Sequence, residues 1–243
     1  MDAGSFYKEL IDKFKKLVAD NNLLNEEIFI TGRTLSVEEA IGRPKRRDYP
    51  IVKGKEQLMQ SIFKGVKGQA FTDMAGDYHG TLKEILEINP ENNFDRAVLI
   101  ATMNAVMRYL GYIEDTIHCH DEKPEECAKQ LVCYIKSEYD SPKVALIGLQ
   151  PAMLENIARE FPVRVVDMDP DNVGQVKSGI IVEPIEVTDD VLKWCDLIVA
   201  TGSTVVNCTI TNYCNSKPAL FFGTTGAAMT YLMGLKRFCP HSS

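Results

Sequence analysis

The segment "KVALIGLQPAMLENIAREFPVRVVDMDP", Lys143–Pro170, decides the fold. A short apolar run, a glycine turn, an amphipathic stretch opened by Pro151 and a second β-branched run make one strand–helix–strand unit. Towards the C-terminus the pattern repeats. "SGIIVEP", "DLIVATGS" and "PALFFGTT" supply three more short apolar strands, "TDDVLKWC" and "AAMTYLMGL" supply helices, and a further helical stretch is expected after "TGST". Five such strands separated by helices imply a parallel sheet with both faces covered, so residues 116–243 are expected to form an α/β, doubly wound domain.

Upstream the texture changes. Phe6, Leu10, Phe14, Leu17 and Val18 keep a helical interval. "EIFITGRTL" reads as a strand, "GRPKRRDYPIVKGKE" as a turn-rich connection, "EQLMQSIF" as a helix, "GQAFTDM" as a strand and "GTLKEILEI" as a helix. "FDRAVLIATMNAVMRYLG" is a helix whose Ala97, Ala101 and Ala105 permit close packing and which Gly111 ends. Residues 1–115 are expected to form a smaller first domain. No Gly/Ser- or Pro-rich linker follows it, so the two halves are expected to bury a shared cleft.

The 243 residues, 45% of them hydrophobic, suffice for one large core or two smaller ones. A net charge of −7 and a pI near 5.2 leave no basic patch for nucleic acid. No apolar run approaches the ~20 residues that cross a bilayer, and no signal core follows the N-terminus, so a cytoplasmic protein without a membrane partner is expected. Seven scattered cysteines without a CxxC pair read as reduced thiols rather than as a structural zinc site.

Ligands of such sheets bind beyond the carboxyl ends of the strands, where strand order reverses. The loops there offer Gly148 and Gln150, then Asp167 and Asp169, then Thr201, Gly202, Ser203 and Thr204, then Gly223 and Thr224. Asp167 follows Gly148 by 19 residues, about the interval at which an acidic residue meets ribose hydroxyls. The first loop has one glycine, and Pro151 removes an amide donor, which disfavours NAD and admits an adenosyl ligand without pyrophosphate, such as S-adenosylmethionine. The same acidic run also serves as a helix cap. "TGST" and "GTTG" place hydroxyls and amides at helix starts, suited either to an anion or to capping, and Asn207 is expected in the first turns of the helix after "TGST", facing the cleft. Asn104, on the alanine side of its helix, either ties down a neighbouring backbone or reaches into the cleft. Four cations between Arg43 and Arg47 form a solvated loop or an anion site.

"TIHCHDEKPEEC", Thr116–Cys127, sets His118, Cys119 and His120 side by side. In extended chain the two imidazoles share one side and the thiol takes the other. Pro124 places a helix start near residues 121–123, with the acidic residues complementing its N-terminus, and Cys127 joins a core stripe with Leu131, Tyr134 and Ile135. A thiol at a helix start has a lowered pKa, which suits both metal binding and nucleophilic chemistry, so His118 and Cys119, with Asn104, are candidate catalytic residues, and His118, Cys119 and His120 are candidate metal ligands. Neighbouring side chains cannot surround one ion, so Cys239 in "RFCPH" is nominated as a distant donor. Softness favours zinc, nickel or copper.

Together, "RAVLIATMNAVMRYLG", "TIHCHDEKPEECA", "LIGLQPAM", "VRVVDMDPDNVG", "DLIVATGSTVVNCTI" and "GLKRFCP" resemble the family called "putative heavy-metal chelation" proteins, from about Lys55 to Pro240. The resemblance implies a small α+β domain like the N-terminal domain of enolase, then a Rossmann-like domain with partial likeness to methyltransferases. The implied site lies between them, with Asn104 and residues 116–127 on one wall. Expected partners are a small molecule or metal chelate, with a homodimer allowed. Three activities fit: an enzyme acting on a chelator-like molecule with His118 as acid or base, a non-catalytic metal binder, and an S-adenosylmethionine-dependent methyltransferase.

Overall fold

All five apolar runs of the second half are strands in the computed structural model, which describes residues 1–31, 36–53, 56–214 and 217–243. They are β5 (Val144–Ile147), β6 (Val163–Val166), β8 (Ile180–Glu183), β9 (Leu197–Thr201) and β10 (Ala219–Phe222), flanked by β7 (Val176–Lys177) and β11 (Lys236–Phe238). Their order is β11-β10-β9-β5-β6-β8-β7, parallel except where β7 meets β8. The chain runs outward from β5 to β8, then returns to β9 on the other side of β5. The strand order therefore reverses between β5 and β9.

Alternation along β5 divides the core. Val144 and Leu146 pack with α5 (Lys123–Glu138) and α6 (Pro151–Ala158), whereas Ala145 and Ile147 pack in the cluster that contains α7 (Thr188–Trp194) and α8 (Ala227–Met233). The helix expected after "TGST" is absent from the fold. Residues 202–205 and 210–212 form 3₁₀ turns instead, and Cys208 between them has φ +59°. β-Branched Val205, Val206, Thr209 and Ile210 are poor helix formers. The Tyr7 hydroxyl donates to the Val205 carbonyl, and Arg96 Nε donates to the Val206 carbonyl at 2.5 Å, so side chains from the first half take acceptors that a helix would use.

The first half comprises α1 (Ala3–Asp20), β1 (Glu27–Thr31), α2 (Val37–Ile41), β2 (Gln57–Phe63), β3 (Val66–Thr72), β4 (Tyr78–Thr81), α3 (Leu82–Leu86) and α4 (Asn93–Tyr109). Its sheet is antiparallel in the order β3-β2-β1-β4. β1 ends at Thr31, and residues 32–35 of the expected strand lie outside the described residues. "EQLMQSIF" is strand β2, not a helix. Lys64 and Gly65, at φ +47° and +83°, form the two-residue turn that pairs Phe63 with Val66, and hairpin pairing overrides the helix propensity of Leu and Met.

Every residue of α4 from Arg96 to Met107 is buried. The helix lies between β2–β3 and α8, and the alanine side does admit close packing. A β-carbon at Gly68 of β3 would stand 2.2 Å from the Ala105 nitrogen, so only glycine fits there. One hydrophobic cluster joins Phe6, Leu10 and Phe14 of α1, Leu99 and Met103 of α4, and Ile198, Phe221 and Met229 of the second half. Among the described residues, no helix is long and apolar enough to cross a membrane.

Candidate functional site

A cleft of about 700 Å³ opens where the loops after β5, β6, β9 and β10 face Tyr49, Glu56, Phe71, Thr72 and the 118–127 segment. Gly148 turns at φ +85°, and a β-carbon there would lie 2.7 Å from Thr201 Cγ2, so the loops after β5 and β9 touch at the point of strand reversal. Asp167 lines the cleft and also fastens loops. Its Oδ2 accepts from the Leu149 amide at 2.7 Å, and its Oδ1 accepts from the Asp169 amide at 2.9 Å and from Asn172 Nδ2 at 3.2 Å. Gln150 lines the cleft and caps α6, accepting from the Met153 amide at 2.5 Å.

Asp169, Thr201, Ser203, Thr204, Asn207 and Gly223 also line the cleft. Gly202 and Thr224 do not. A β-carbon at Gly202 would stand 2.4 Å from the Gly226 nitrogen, and Thr224 is fully buried, so both serve the packing of one loop on the other. Asn207 sits in a turn, not a helix, with its Nδ2 3.7 Å from Met168 Sδ. The "TGST" and "GTTG" loops lead into 3₁₀ turns, and α8 spans only 7 residues, so the dipole expected there is weak.

Of the two roles expected for Asn104, the structure shows the first, tying down neighbouring backbone, and not the cleft-facing one. Its Nδ2 donates to the carbonyls of Gln69 at 2.8 Å and Thr224 at 3.2 Å, and its Oδ1 accepts from the Ala228 amide at 2.8 Å. The side chain is fully buried and clamps β3 to the loop before α8, away from the cleft lining.

The segment carrying His118 is held from both sides. Ile117 exchanges backbone bonds of 2.8 and 3.1 Å with Ser243, and the His118 amide donates to Gln69 Oε1 at 2.8 Å. His118 and Cys119 both line the cleft, while His120 does not. The expected pairing of His118 with His120 needs a regular strand, and the chain here is irregular, turning at Asp121 with φ +59°. Helix α5 starts at Lys123, as Pro124 implied.

Burial pushes the His118 imidazole down to about 4, outweighing an opposing backbone contact at Cys119, and neighbouring His120 adds to the lowering. Among the described residues its Nδ1 is buried without a hydrogen-bond partner, and its ring meets Phe71 edge-on at 5.3 Å. Burial also pushes the Cys119 thiol up to about 12, with Cys239 adding, so desolvation overrides the lowering expected near α5. Cys127 is raised in the same way, by burial and then by Cys239 and Cys119, which places three thiols in one corner. All seven cysteines are free thiols. Among the described residues, no three His, Cys, Asp or Glu side chains form a set that could hold a metal ion.

Two lining residues carry no sequence signal. Tyr49 is 5% exposed, and its hydroxyl has no hydrogen-bond partner among the described residues. Glu56, just before β2, is pushed up to about 7 by burial and then by Asp167 and Asp169. The basic loop is committed to ion pairs rather than to the cleft. Arg46 contacts Asp48 at 2.7 Å and Glu155 at 2.6 Å, and Arg43 contacts Glu38 at 2.8 Å.

Residues 133–231 match the model of the DUF364 family, described as "Putative heavy-metal chelation". The match covers most of the parallel-sheet half and stops short of both Thr116–Cys127 and Cys239. Among solved structures, a protein of unknown function from the DUF364 family of Pyrococcus horikoshii is similar, with 15% identity, a TM-score of 0.53, and 89% of this chain and 80% of that chain covered. A DUF364 protein of unknown function from Desulfitobacterium hafniense shares 12% identity at a TM-score of 0.47, covering 73% of each chain. The first likeness supports the fold alone. No curated protein matches.

Proposed function

We propose, from the likeness of residues 133–231 to that family, that the protein binds a small molecule, a metal chelate, in the cleft between the two sheets. One observation carries this: His118 Nδ1 and Tyr49 Oη are buried, have no hydrogen-bond partner among the described residues, and belong to residues that line the cleft. An unmet buried polar atom costs ~1–3 kcal/mol, which a ligand offering a complementary group recovers. At neutral pH the His118 imidazole is uncharged and has a lone pair to give, and Cys119 and Cys239, whose thiols lie close to each other, line the same cleft. Among the described residues no three donors form a complete set, so in this reading the small molecule supplies most of the coordination. Zinc, nickel or copper(I) suits such donors.

Elemental analysis and native mass spectrometry of the protein purified without chelators test this. Wild type is expected to carry a metal-bearing small molecule that His118→Ala and Cys119→Ser lose. Equal, near-zero metal in all three sinks direct ligation, and turnover lost with metal retained in His118→Ala moves His118 to an acid–base role. A second reading, an adenosyl ligand, is favoured by the position of Asp167 at the carboxyl end of β6 beside the Gly148 turn. Asp167→Ala is then expected to weaken S-adenosylmethionine binding by ~1.5–3 kcal/mol in calorimetry.

A further inference from the structure

The cleft crosses the carboxyl edge of the parallel sheet, and its two ends differ in chemistry. On the side of α5 and α6 it is lined by four rings, those of Tyr49, Phe71, His118 and Phe222, and by Leu149 and Met153. Tyr49, Leu149, Met153 and Phe222 belong to the core cluster on that side, Phe71 packs against the cluster, and the His118 ring meets Phe71 edge-on at 5.3 Å. On the side of α7 and α8 the lining includes Asn207, Thr209 and Asn212, which lie between Val206 and Tyr213 of the other cluster. We propose that the first end is a subsite for an aromatic ring, so that the ligand is a small aromatic molecule whose hydrophilic part reaches the Asn207 end. This rests on the small-molecule reading above and adds the chemical class of the ligand.

Tyr49, Leu149, Met153 and Phe222 are only 4–7% exposed, so the walls they form stand close together and bulk water scarcely reaches them. A flat ring enters such a slot with less strain than a puckered group of the same carbon count. Burying its faces removes apolar surface from water, and the surrounding rings add offset-stacked and edge-to-face contacts that a saturated group lacks. Met153 contributes a polarizable thioether, which favours the edge of a ring. Two polar groups are buried in the same wall, the Tyr49 hydroxyl and the His118 Nδ1, so a hydroxyl or nitrogen on the ligand's ring meets a hydrogen-bonding group there. At the other end Asn207 and Thr209 are half-buried and Asn212 is exposed, which suits a hydrophilic group that keeps part of its water. Apolar walls with a few placed polar groups are the usual make-up of a small-molecule site, and about 700 Å³ accommodates a molecule of that class.

Two probes isolate the ring: 2-naphthol and decahydro-2-naphthol share a carbon skeleton and a hydroxyl and are both uncharged at neutral pH, but only the first is flat and aromatic. Two methionines mark the ends of the cleft, Met153 among the rings and Met168, whose Sδ lies 3.7 Å from Asn207 Nδ2. In NMR titrations of the whole chain carrying methyl-labelled methionine, 2-naphthol is expected to bind about fivefold more tightly than its saturated analogue and to shift the Met153 methyl rather than that of Met168. Phe71→Leu keeps an apolar side chain without the ring and is expected to weaken 2-naphthol about threefold while changing the analogue little. Phe29→Leu, exposed on β1, is expected to change neither. Equal or tighter binding of the saturated analogue, binding of neither, a larger shift at Met168, or equal losses in the two variants overturns the proposal. A non-aromatic metal chelate that copurifies with the protein overturns the aromatic subsite and leaves cleft binding standing. Naphthol bound at Met153 in a protein with near-zero metal supports the subsite and sinks the chelate reading.

Discussion

Half-buried Glu56 and fully buried Asn104 show how differently two polar residues behave. Burial, then Asp167 and Asp169, hold the Glu56 carboxyl up to about 7, against an ordinary value of 4.5. Between those values the folded chain binds more protons than the unfolded one, so stability is full below about 4.5 and declines as pH rises through 7. In urea unfolding, wild type is expected to lose on the order of 2 kcal/mol relative to Glu56→Gln from pH 4.5 to pH 7.5. Parallel pH profiles for the two would show that Glu56 is freely solvated. Asn104→Ala strands the amide and carbonyl groups it now satisfies, so a loss of ~2–4 kcal/mol is expected. Ligand retention should be unchanged, because Asn104 does not line the cleft. A buried amide at Asn104 could be read from its helix face. Glu56 and Tyr49 could not, because their environment exists only after loops about a hundred residues away close over them.

At the scale of elements, the sequence was most legible where side-chain periodicity and fold agree. The central strands β5 and β9 are apolar on both faces because both faces are covered, whereas Ile181 of β8, near the sheet edge, is exposed, and Ala101 and Ala105 mark a tight contact that Gly68 completes. The failures came where pairing partners decide. Strand β2 is set by the Lys64–Gly65 turn and by two neighbouring strands, and the "VVNCTI" segment by hydrogen bonds from Tyr7 and Arg96. His118 and Cys119 were legible as unusual residues at a helix start. The raised thiol was not, because desolvation depends on what covers it. Gly148→Ala tests the loop contact at the strand reversal. The positive φ and the Thr201 methyl together are expected to cost ~1–3 kcal/mol. Thr201→Ser removes the obstructing methyl while keeping the hydroxyl, so the double variant should recover part of that loss in thermal melts. Strict additivity would show that the two loops do not press on each other.

At the scale of the whole molecule, the two sheets divide the topology, and the packing crosses that division. Helix α1 lies against α8, and its Tyr7 bonds the Val205 carbonyl. Helix α4, buried from Arg96 to Met107, has the small sheet on one side and α8 on the other, so separating the halves would expose one side of it to water. Exposing apolar surface costs roughly 25 cal/mol per Å², and burying a few side chains of Leu99 size contributes more than a typical flexible interdomain contact. The amphipathic stripe of α1 was readable, but nothing local to it says that its apolar side covers the second half. The two halves are therefore expected to unfold as one unit: calorimetry should give a single transition whose van't Hoff and calorimetric enthalpies agree. Deleting residues 1–20 should lower the transition of the entire chain rather than of the first half alone. A fragment ending at residue 115 should expose the α8-facing side of α4 and show no cooperative melt. Two resolved transitions, or a stable 1–115 fragment, would mean that the halves are independent and that the cleft between them opens freely.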